Sequence, residues 1–302
     1  MRKSASGSVL VVSLWTMAAL TTLGIAQARH VMLQLRWADR AQEARAGWYL
    51  LVAGVESAGQ LMSLDDTEDI DTMNEDWRQQ IPKDPVSLNS GTFSFSVEDE
   101  QSKIPLNAAA LDVLQILPGF SPQSAQTLID RRDQDEPQLV RHLGELISVE
   151  GFDSDFFDEL EPLVTVHGTN PVNLNTAGAE TLVALGLSSL LSQQITQFQS
   201  GGNGVLGDAD DGAFDDVKVD AIETKLKTHF GDSFLLEEAD KARLTTLQSG
   251  EPPMIGVASS FYRVEVTTQT TDHQLAHQVV AILERNNPGV HPTVRGWHEA
   301  TS

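Results

Sequence analysis

The 302-residue sequence contains no cysteine, few aromatic residues and fewer than half as many basic as acidic residues. Without cysteine, the chain cannot form disulfides, thiolate metal sites or cysteine nucleophiles. Its formal net charge of −23 argues against a general nucleic-acid binder, because such a protein needs a basic face to displace counterions from phosphates. The sequence also lacks a G-x-S-x-G motif, a P-loop and an H-E-x-x-H motif. We therefore expect a protein that is not an enzyme.

Proline is absent before Pro82, and residues 8–26 form a charge-free apolar run of 19 residues. At about 1.5 Å per residue, this run is just long enough to cross a hydrocarbon core as a helix. It allows three interpretations: a secretory signal cut after the A-x-A pattern at 26–28, a single-pass anchor, or a prepilin-type leader. In the third case residues 1–7 are removed after Gly7, and Ser8 becomes the first mature residue. The run is longer than the about 7–15 residues usual for a secretory signal, which favours the prepilin-type leader.

Apolar residues downstream of this run recur at alternating spacings of four and three, which predicts one stripe along a helix. The stripe consists of Trp37, Ala41, Ala44, Trp48, Leu51, Val55, Ala58 and Met62. Because no proline interrupts this pattern, residues 8 to about 64 are expected to form one helix of roughly 85 Å. Its transmembrane half is 8–26 and its amphipathic half is 27–64.

The charges that flank the apolar run give conflicting orientations. Arg2 and Lys3 favour a cytoplasmic N-terminus. Four arginines lie on the opposite flank, namely Arg29, Arg36, Arg40 and Arg45. The positive-inside rule counts lysine and arginine, so by itself it favours the reverse orientation.

The middle of the chain divides into three predicted regions. Residues 65–91 are rich in acidic residues without periodicity and read as a solvated linker. Residues 92–105 hold an alternating strand at 92–97 and a polar connection. Residues 106–200 are expected to be an all-helical block.

Two segments of this helical block resemble helix-hairpin-helix units. The first contains the L-P-G-F-S turn after Leu117, and the second turns around Gly186. The second begins at N-L-N-T-A, residues 173–177, where Asn175 or Thr176 is the expected helix N-cap. Such units commonly bind DNA through hairpin amides, but this block holds three basic residues against 13 acidic ones. A structural or protein-contact role is therefore favoured over DNA binding.

The C-terminal third holds an aspartate-rich loop and then strands. Residues 201–255 are expected to form a Gly/Asp-rich loop and a helix. The candidate ligands of a hard cation such as calcium in this loop are Asp208, Asp210, Asp211, Asp215 and Asp216. The alternative is that these carboxylates bind no cation and stay solvated. Residues 256–286 predict an antiparallel hairpin of strands at 261–267 and 278–284. Residues 287–302 read as a frayed tail.

In this order, the features resemble the minor pseudopilin K family of the type II secretion pathway. The features that carry the resemblance are Gly7 before S-V-L-V-V-S-L-W, the long N-terminal helix, the strand at 92–97, the two helix-hairpin-helix-like units, N-L-N-T-A at 173–177 and S-F-Y at 260–262. The resemblance implies an α+β fold in which a small antiparallel pilin-type sheet lies behind the helix and carries the helical block as an insertion. The chain departs from the family in its short insertion, its lack of cysteine and the absence of an obvious aspartate-rich stretch between the strands. For that reason the family's calcium sites cannot be assigned to residues here.

The resemblance also implies a function. The prepilin peptidase would cut between Gly7 and Ser8, and the chain would form the pseudopilus tip, anchored once in the inner membrane with its bulk in the periplasm. The implied partners are I- and J-type minor pseudopilins, the inner-membrane secretion platform and the lipid bilayer, with no nucleic acid. Most pilins carry a glutamate at the fifth mature position, where this chain has Val12. An apolar residue suits a tip subunit, which has no earlier neighbour whose amine could pair with the acid. Partner binding is assigned to Val12, Trp37, Ala41, Ala44, Trp48, Leu51 and Val55. The alternative is a membrane-anchored helix-hairpin-helix DNA receptor of the competence type.

Overall fold

The computed structural model describes residues 6–65, 67, 69–231, 234–271, 276–287 and 289–299. The expected leader, residues 1–7, lies outside this set except for its last two residues. Helix α1 runs from Ser6 to Met62, 57 residues without interruption, as the absence of proline predicts. It closes with a short turn in which the amide of Leu64 donates to the carbonyl of Leu61 at 2.9 Å.

A five-stranded antiparallel sheet packs against the C-terminal third of α1. Its strands, in spatial order, are β1 (Val86–Leu88), β2 (Gly91–Asp99), β7 (Phe261–Thr270), β8 (Ala276–Glu284) and β9 (Thr293–Glu299). The predicted strand at 92–97 and the predicted hairpin thus belong to one sheet, although residues 272–275 of the hairpin turn lie outside the described residues. Strands β2 and β7 pair from Gly91↔Thr270 to Asp99↔Tyr262, so everything between them in sequence is an insertion.

The helix and the sheet share one apolar core. Its members include Leu50, Leu51, Val55, Ala58 and Met62 from α1 and Phe93, Phe95, Val264, Val266 and Val279 from the strands. Gly54 allows the two layers to approach closely, since a Cβ atom there would lie 2.4 Å from Cγ1 of Val266. The alternating sequence of β2 buries every second side chain, as its period of two predicts.

The insertion has a second apolar core of its own. Its helices are α3 (Leu111–Leu114), α4 (Pro122–Arg132), α5 (Phe157–Leu160), α6 (Ala179–Ala184), α7 (Ser189–Gln199), α8 (Val219–Phe230) and α9 (Glu238–Ser249). Two-residue strands pair in parallel as β3 (Ile104–Pro105) with β4 (Val164–Thr165), and as β5 (Val172–Asn173) with β6 (Ile255–Gly256).

The insertion differs from the expected block in two ways. Residues 106–200 are not all helical, because β4 and β5 lie inside them. The helical region also continues beyond residue 200, since α8 and α9 bury Ile222, Leu226 and Leu244 in the same core. Strands of two residues carry too few side chains to show a period, so the sequence did not reveal them.

Two other expectations were wrong. Residues 65–91 are not a solvated linker: they contain α2 (Asp76–Gln79) and β1, and Asp71 is completely buried. Residues 287–302 are not simply a frayed tail, because β9 adds an edge strand to the sheet. The sequence of β9 is mostly polar, and its pairing is supplied by the neighbouring strand β8 rather than by its own apolar pattern.

Candidate functional site

The N-terminal half of α1 projects away from both cores. Its apolar side chains, among them Val12, Trp15 and Leu20, are exposed over more than half of their surface. By length and composition, the described helix contains a window of 18 residues that is apolar enough to cross a membrane, and none of this window is buried. Soluble monomers rarely expose an apolar surface of this size, so this segment is the first candidate interaction surface.

The predicted stripe on α1 divides into a buried and an exposed part. Leu51 and Val55 are only 7% and 1% exposed because they pack against the sheet. They are therefore occupied within the chain, and the assignment of partner contacts to them is corrected. The members that remain accessible are Trp37, Ala41, Ala44 and Trp48. The apolar residues keep one continuous helical period through both parts, so the sequence cannot show where along α1 the contact with the sheet ends.

An aromatic pair marks the border between these two parts. The rings of Trp48 on α1 and Trp297 on β9 lie 5.6 Å apart and are tilted by 36°. Both side chains remain partly exposed, so the pair extends the accessible surface from the helix onto the sheet edge. Sequence reasoning missed Trp297 because it placed this residue in a tail. The alternation of Val294, Gly296 and His298 with other residues was too weak a signal for a strand.

A buried polar network joins the sheet to the insertion beyond the C-terminal end of α1. Arg285, at the end of β8, donates hydrogen bonds to the carboxylates of Asp65 and Asp71. The hydroxyl of Tyr262 donates to Oδ1 of Asp71 at 2.7 Å. Among the described residues, the carboxylates of Asp65, Asp71 and Glu75 alone form a group with oxygens within 4.8 Å of one another. Because a guanidinium already supplies the positive charge there, we interpret this group as an ion-pair junction and not as a metal site.

The N-L-N-T-A motif belongs to the same junction. The side-chain amide of Asn173 donates to the carbonyl of Asp71 at 3.0 Å, and the hydroxyl of Thr176 donates to Asp99 at 2.6 Å. Burial raises the pKa of Asp99, although its hydrogen bonds partly offset this effect. Neither Asn175 nor Thr176 caps the following helix, whose N-cap is Gly178. The expected cap was wrong because these side chains are used for tertiary hydrogen bonds instead.

Glu75 is a buried titratable group of this junction, and its pKa lies near neutral pH. Burial, followed by the nearby charge of Asp71, raises its pKa from 4.5 to about 7. Its carboxylate accepts hydrogen bonds from the indole of Trp77 and from the amide of Thr72. The group therefore takes up a proton near neutral pH inside a fully folded region.

The five aspartates of the expected calcium loop do not converge as one set. The carboxylate of Asp215 lies 3.2 Å from the ammonium of Lys225, and Asp216 pairs with Lys218. The other three, Asp208, Asp210 and Asp211, accept hydrogen bonds from Asn203 and from loop amides. A calcium ion in this loop remains a prediction.

The turns of both helix pairs in the insertion are covered by other parts of the fold. In the second pair, the backbone amide and the hydroxyl of Ser188 both donate to the buried carboxylate of Asp240 on α9, at 2.8 and 2.7 Å. In the first pair, the carbonyl of Gly119 accepts from the amide of Asp153 at 2.9 Å. A hairpin that binds phosphate needs free amides, and the amide of Ser188 is already bonded to a carboxylate, which disfavours DNA binding by the second pair.

No protein-family model and no curated protein matches this sequence. Among solved structures, the chain is similar to a chain in the crystal structure of the GspK-GspI-GspJ complex from the Type 2 Secretion System of enterotoxigenic Escherichia coli. The likeness has a TM-score of 0.58 and 16% sequence identity, and it covers 88% of this chain and 100% of the other. At this identity it shows a shared fold. The fold expected from the sequence resemblance is thereby confirmed.

Proposed function

We propose that this chain is a minor pseudopilin that forms the tip of a type II secretion pseudopilus and initiates or caps its assembly. The observation that carries the proposal is the fold likeness, which spans the whole of a chain from a complex of minor pseudopilins. The exposed apolar half of α1 supports it, because filament subunits of this kind need such a surface to insert into a bilayer and pack against neighbours.

The position of the insertion supports a role at the tip. It leaves the sheet at Asp99 and returns at Phe261, next to the junction that follows the C-terminal end of α1. This end of the molecule is the one farthest along α1 from its apolar half. A second folded core at this end would obstruct another subunit above it, whereas the exposed stripe below it stays accessible.

The exposed position of Val12 fits the same role. Its side chain is 61% exposed on the apolar half of α1, in a segment without any charged residue. A carboxylate at this depth in a bilayer would be costly without a partner. A subunit that begins a filament lacks the neighbour that would provide one, and valine avoids the cost. The location follows from this role: one span in the inner membrane, with the sheet and the insertion in the periplasm, after cleavage between Gly7 and Ser8 by the prepilin peptidase.

The proposed partners are I- and J-type minor pseudopilins and the inner-membrane secretion platform. The full chain in detergent should bind the I- and J-type subunits, and Trp37→Ala or Trp48→Ala should weaken binding on the order of ten-fold, as truncated aromatic anchors do. Binding would be measured by biolayer interferometry with the full-length proteins.

Tyr49→Ala is the matched control for this test. Tyr49 is a neighbouring aromatic residue that is 70% exposed, and it lies about 100° around the helix from Trp48. If the unmodified chain bound neither subunit, or if Ser8 were not the N-terminal residue of the mature protein, the proposal would be wrong. Salt-dependent binding of duplex DNA by the full chain would instead support the competence-type alternative.

A further inference from the structure

The arginines that follow the apolar run form one face of α1. Arg29, Arg36 and Arg40 are separated by seven and four residues. At about 100° per residue, they fall within an arc of about 40°. All three side chains are exposed, and none of them forms a salt bridge with any residue that the structure describes. The fourth arginine that follows the apolar run on α1, Arg45, lies on another side of the helix.

This arginine face is distinct from the exposed stripe of Trp37 and Trp48. It continues the line of Gly47 and Gly54, which are seven and fourteen residues after Arg40. Gly54 faces Val266 of the sheet. The arginines therefore lie on the side of α1 that carries the sheet, between the sheet and the apolar run. The neighbouring stripe remains available for protein partners.

Charge is divided sharply along the chain. Residues 1–45 contain six basic and two acidic residues, whereas residues 46–302 contain 14 basic and 41 acidic residues. An anionic surface would therefore repel the folded cores and attract the base of the helix. The surface that adjoins the base of a membrane-spanning helix is the layer of lipid headgroups.

We propose that the face of Arg29, Arg36 and Arg40 binds anionic phospholipids where α1 leaves the bilayer, with Arg29 in contact with their phosphate groups and Arg36 and Arg40 attracting them from farther out. This inference rests on the membrane-spanning part of the proposed function, whichever way the helix is oriented. It also accounts for arginines whose position opposes the positive-inside rule for an N-terminus in the cytoplasm. Their attraction to headgroups would hold the helix at a fixed depth.

The three arginines lie at different distances from the apolar run. Helical rise places them about 4, 15 and 21 Å beyond Ala26, and the headgroup layer is roughly 5–8 Å thick on each side. Helical side chains point back toward the N-terminus, which here is toward the bilayer, and arginine extends further by snorkelling. We expect Arg29 to contribute most, Arg36 less, and Arg40 least, mainly by attraction over a Debye length of about 8 Å.

The test is a competition between two lipids for the full chain. The protein in non-ionic detergent is mixed with equal amounts of phosphatidylglycerol and phosphatidylcholine, and native mass spectrometry counts the bound molecules of each lipid. The unmodified chain should prefer phosphatidylglycerol. Arg29→Gln should lower the ratio by up to about five-fold and the other two single changes by less, so the triple variant Arg29→Gln, Arg36→Gln, Arg40→Gln should lower it on the order of ten-fold.

Two matched variants distinguish an effect of the arginine face from an effect of overall charge and from an effect of misfolding. The triple variant Lys83→Gln, Arg131→Gln, Arg141→Gln removes the same charge from other accessible positions and should keep the preference. The triple arginine-to-lysine variant at 29, 36 and 40 should also keep it. Arg2 and Lys3 are the same in every variant, whether the leader is still attached or has been removed, so a preference that they alone produce would not change.

An unchanged lipid ratio in the triple glutamine variant would overturn the inference, as would an equal loss in the charge-matched control. If the triple glutamine variant instead lost binding to a pseudopilin while its lipid ratio stayed the same, the arginine face would bind an acidic surface of a protein partner and not lipid. Partner binding is measured separately. If the unmodified chain bound neither the I- nor the J-type subunit but kept its lipid preference, only the proposed function would be overturned.

Discussion

At the scale of single residues, burial changes the role of the acidic side chains between α1 and the sheet. Asp65, Asp71 and Glu75 lie in a segment whose composition is typical of a solvated linker, yet all three are buried. Arg285 compensates the charges of Asp65 and Asp71. Glu75 lies beside the same carboxylates, and its hydrogen bonds come from neutral donors.

Glu75 should make the fold more stable at acid than at neutral pH. Its pKa is about 7 in the folded protein, against an ordinary value of 4.5. Because the folded state holds the proton more tightly, the ionisation penalty is absent below pH 4.5, grows between the two pKa values and is complete above pH 7. Glu75→Gln removes this penalty, so the unfolding free energy of the variant relative to the unmodified chain should rise by up to about 3 kcal/mol from pH 4.5 to 8.

Urea denaturation at several pH values measures this difference. A constant offset from altered hydrogen bonds does not affect the comparison, since only the change with pH is diagnostic. Glu98→Gln on the exposed face of β2 is the control, and its relative stability should stay flat. A flat profile for Glu75→Gln as well would show that Glu75 titrates normally.

At the scale of elements, α9 fixes the hairpin between α6 and α7. The carboxylate of Asp240 accepts from both the amide and the hydroxyl of Ser188, and it is only 4% exposed. Arg243, one turn later, donates to the carbonyl of Leu185 at 2.6 Å. A helix that the sequence placed outside the helical block therefore determines the geometry of its second hairpin.

Asp240→Ala should destabilise the protein by about 1–3 kcal/mol, because it leaves two donors of a partly buried serine without an acceptor. Asp240→Asn keeps one acceptor oxygen and should cost clearly less. Thermal denaturation of both variants gives the comparison. Equal losses for alanine and asparagine would show that the carboxylate charge, rather than the hydrogen-bond acceptors, is what α9 supplies.

At the scale of the whole molecule, two separate apolar cores are joined by the polar junction around Arg285. Its guanidinium bonds to Asp65 and Asp71 before β1 and to the carbonyl of Ser259 before β7. Arg285 and Asp65 are 220 positions apart in the sequence. The junction therefore positions the insertion relative to the sheet and to the end of α1.

Arg285→Met should destabilise the protein by about 3–5 kcal/mol, since it leaves two buried carboxylates without their cation. Arg295→Met is the control: this arginine pairs with Glu284, but its side chain is 55% exposed, and an exposed pair contributes about 0–1 kcal/mol. Chemical denaturation measures both. Adding Asp65→Asn to Arg285→Met should recover part of the loss, and a similar loss for the two arginine variants would contradict this account of the junction.

The sequence by itself determined the features that depend on local pattern. A long run without proline and a 3.6-residue period specify α1, alternation specifies β2 and β7, and a continuous apolar run specifies β8, because these signals are repeated over many neighbouring residues. The order of these elements was enough to indicate the fold, and the uncharged apolar run that contains Val12 is likewise visible in the sequence alone.

Only the tertiary structure decided what depends on contacts between distant residues. It showed that Leu51 and Val55 face the sheet while Trp37 and Trp48 stay exposed, that β9 is a strand, and that the acidic segment after α1 is buried. The physical reason is that burial, edge pairing and ion pairing are set by partners far along the chain, such as Arg285 for Asp65. The composition of a segment shows its own preference, but its environment in the fold decides whether its charges meet water or a buried cation.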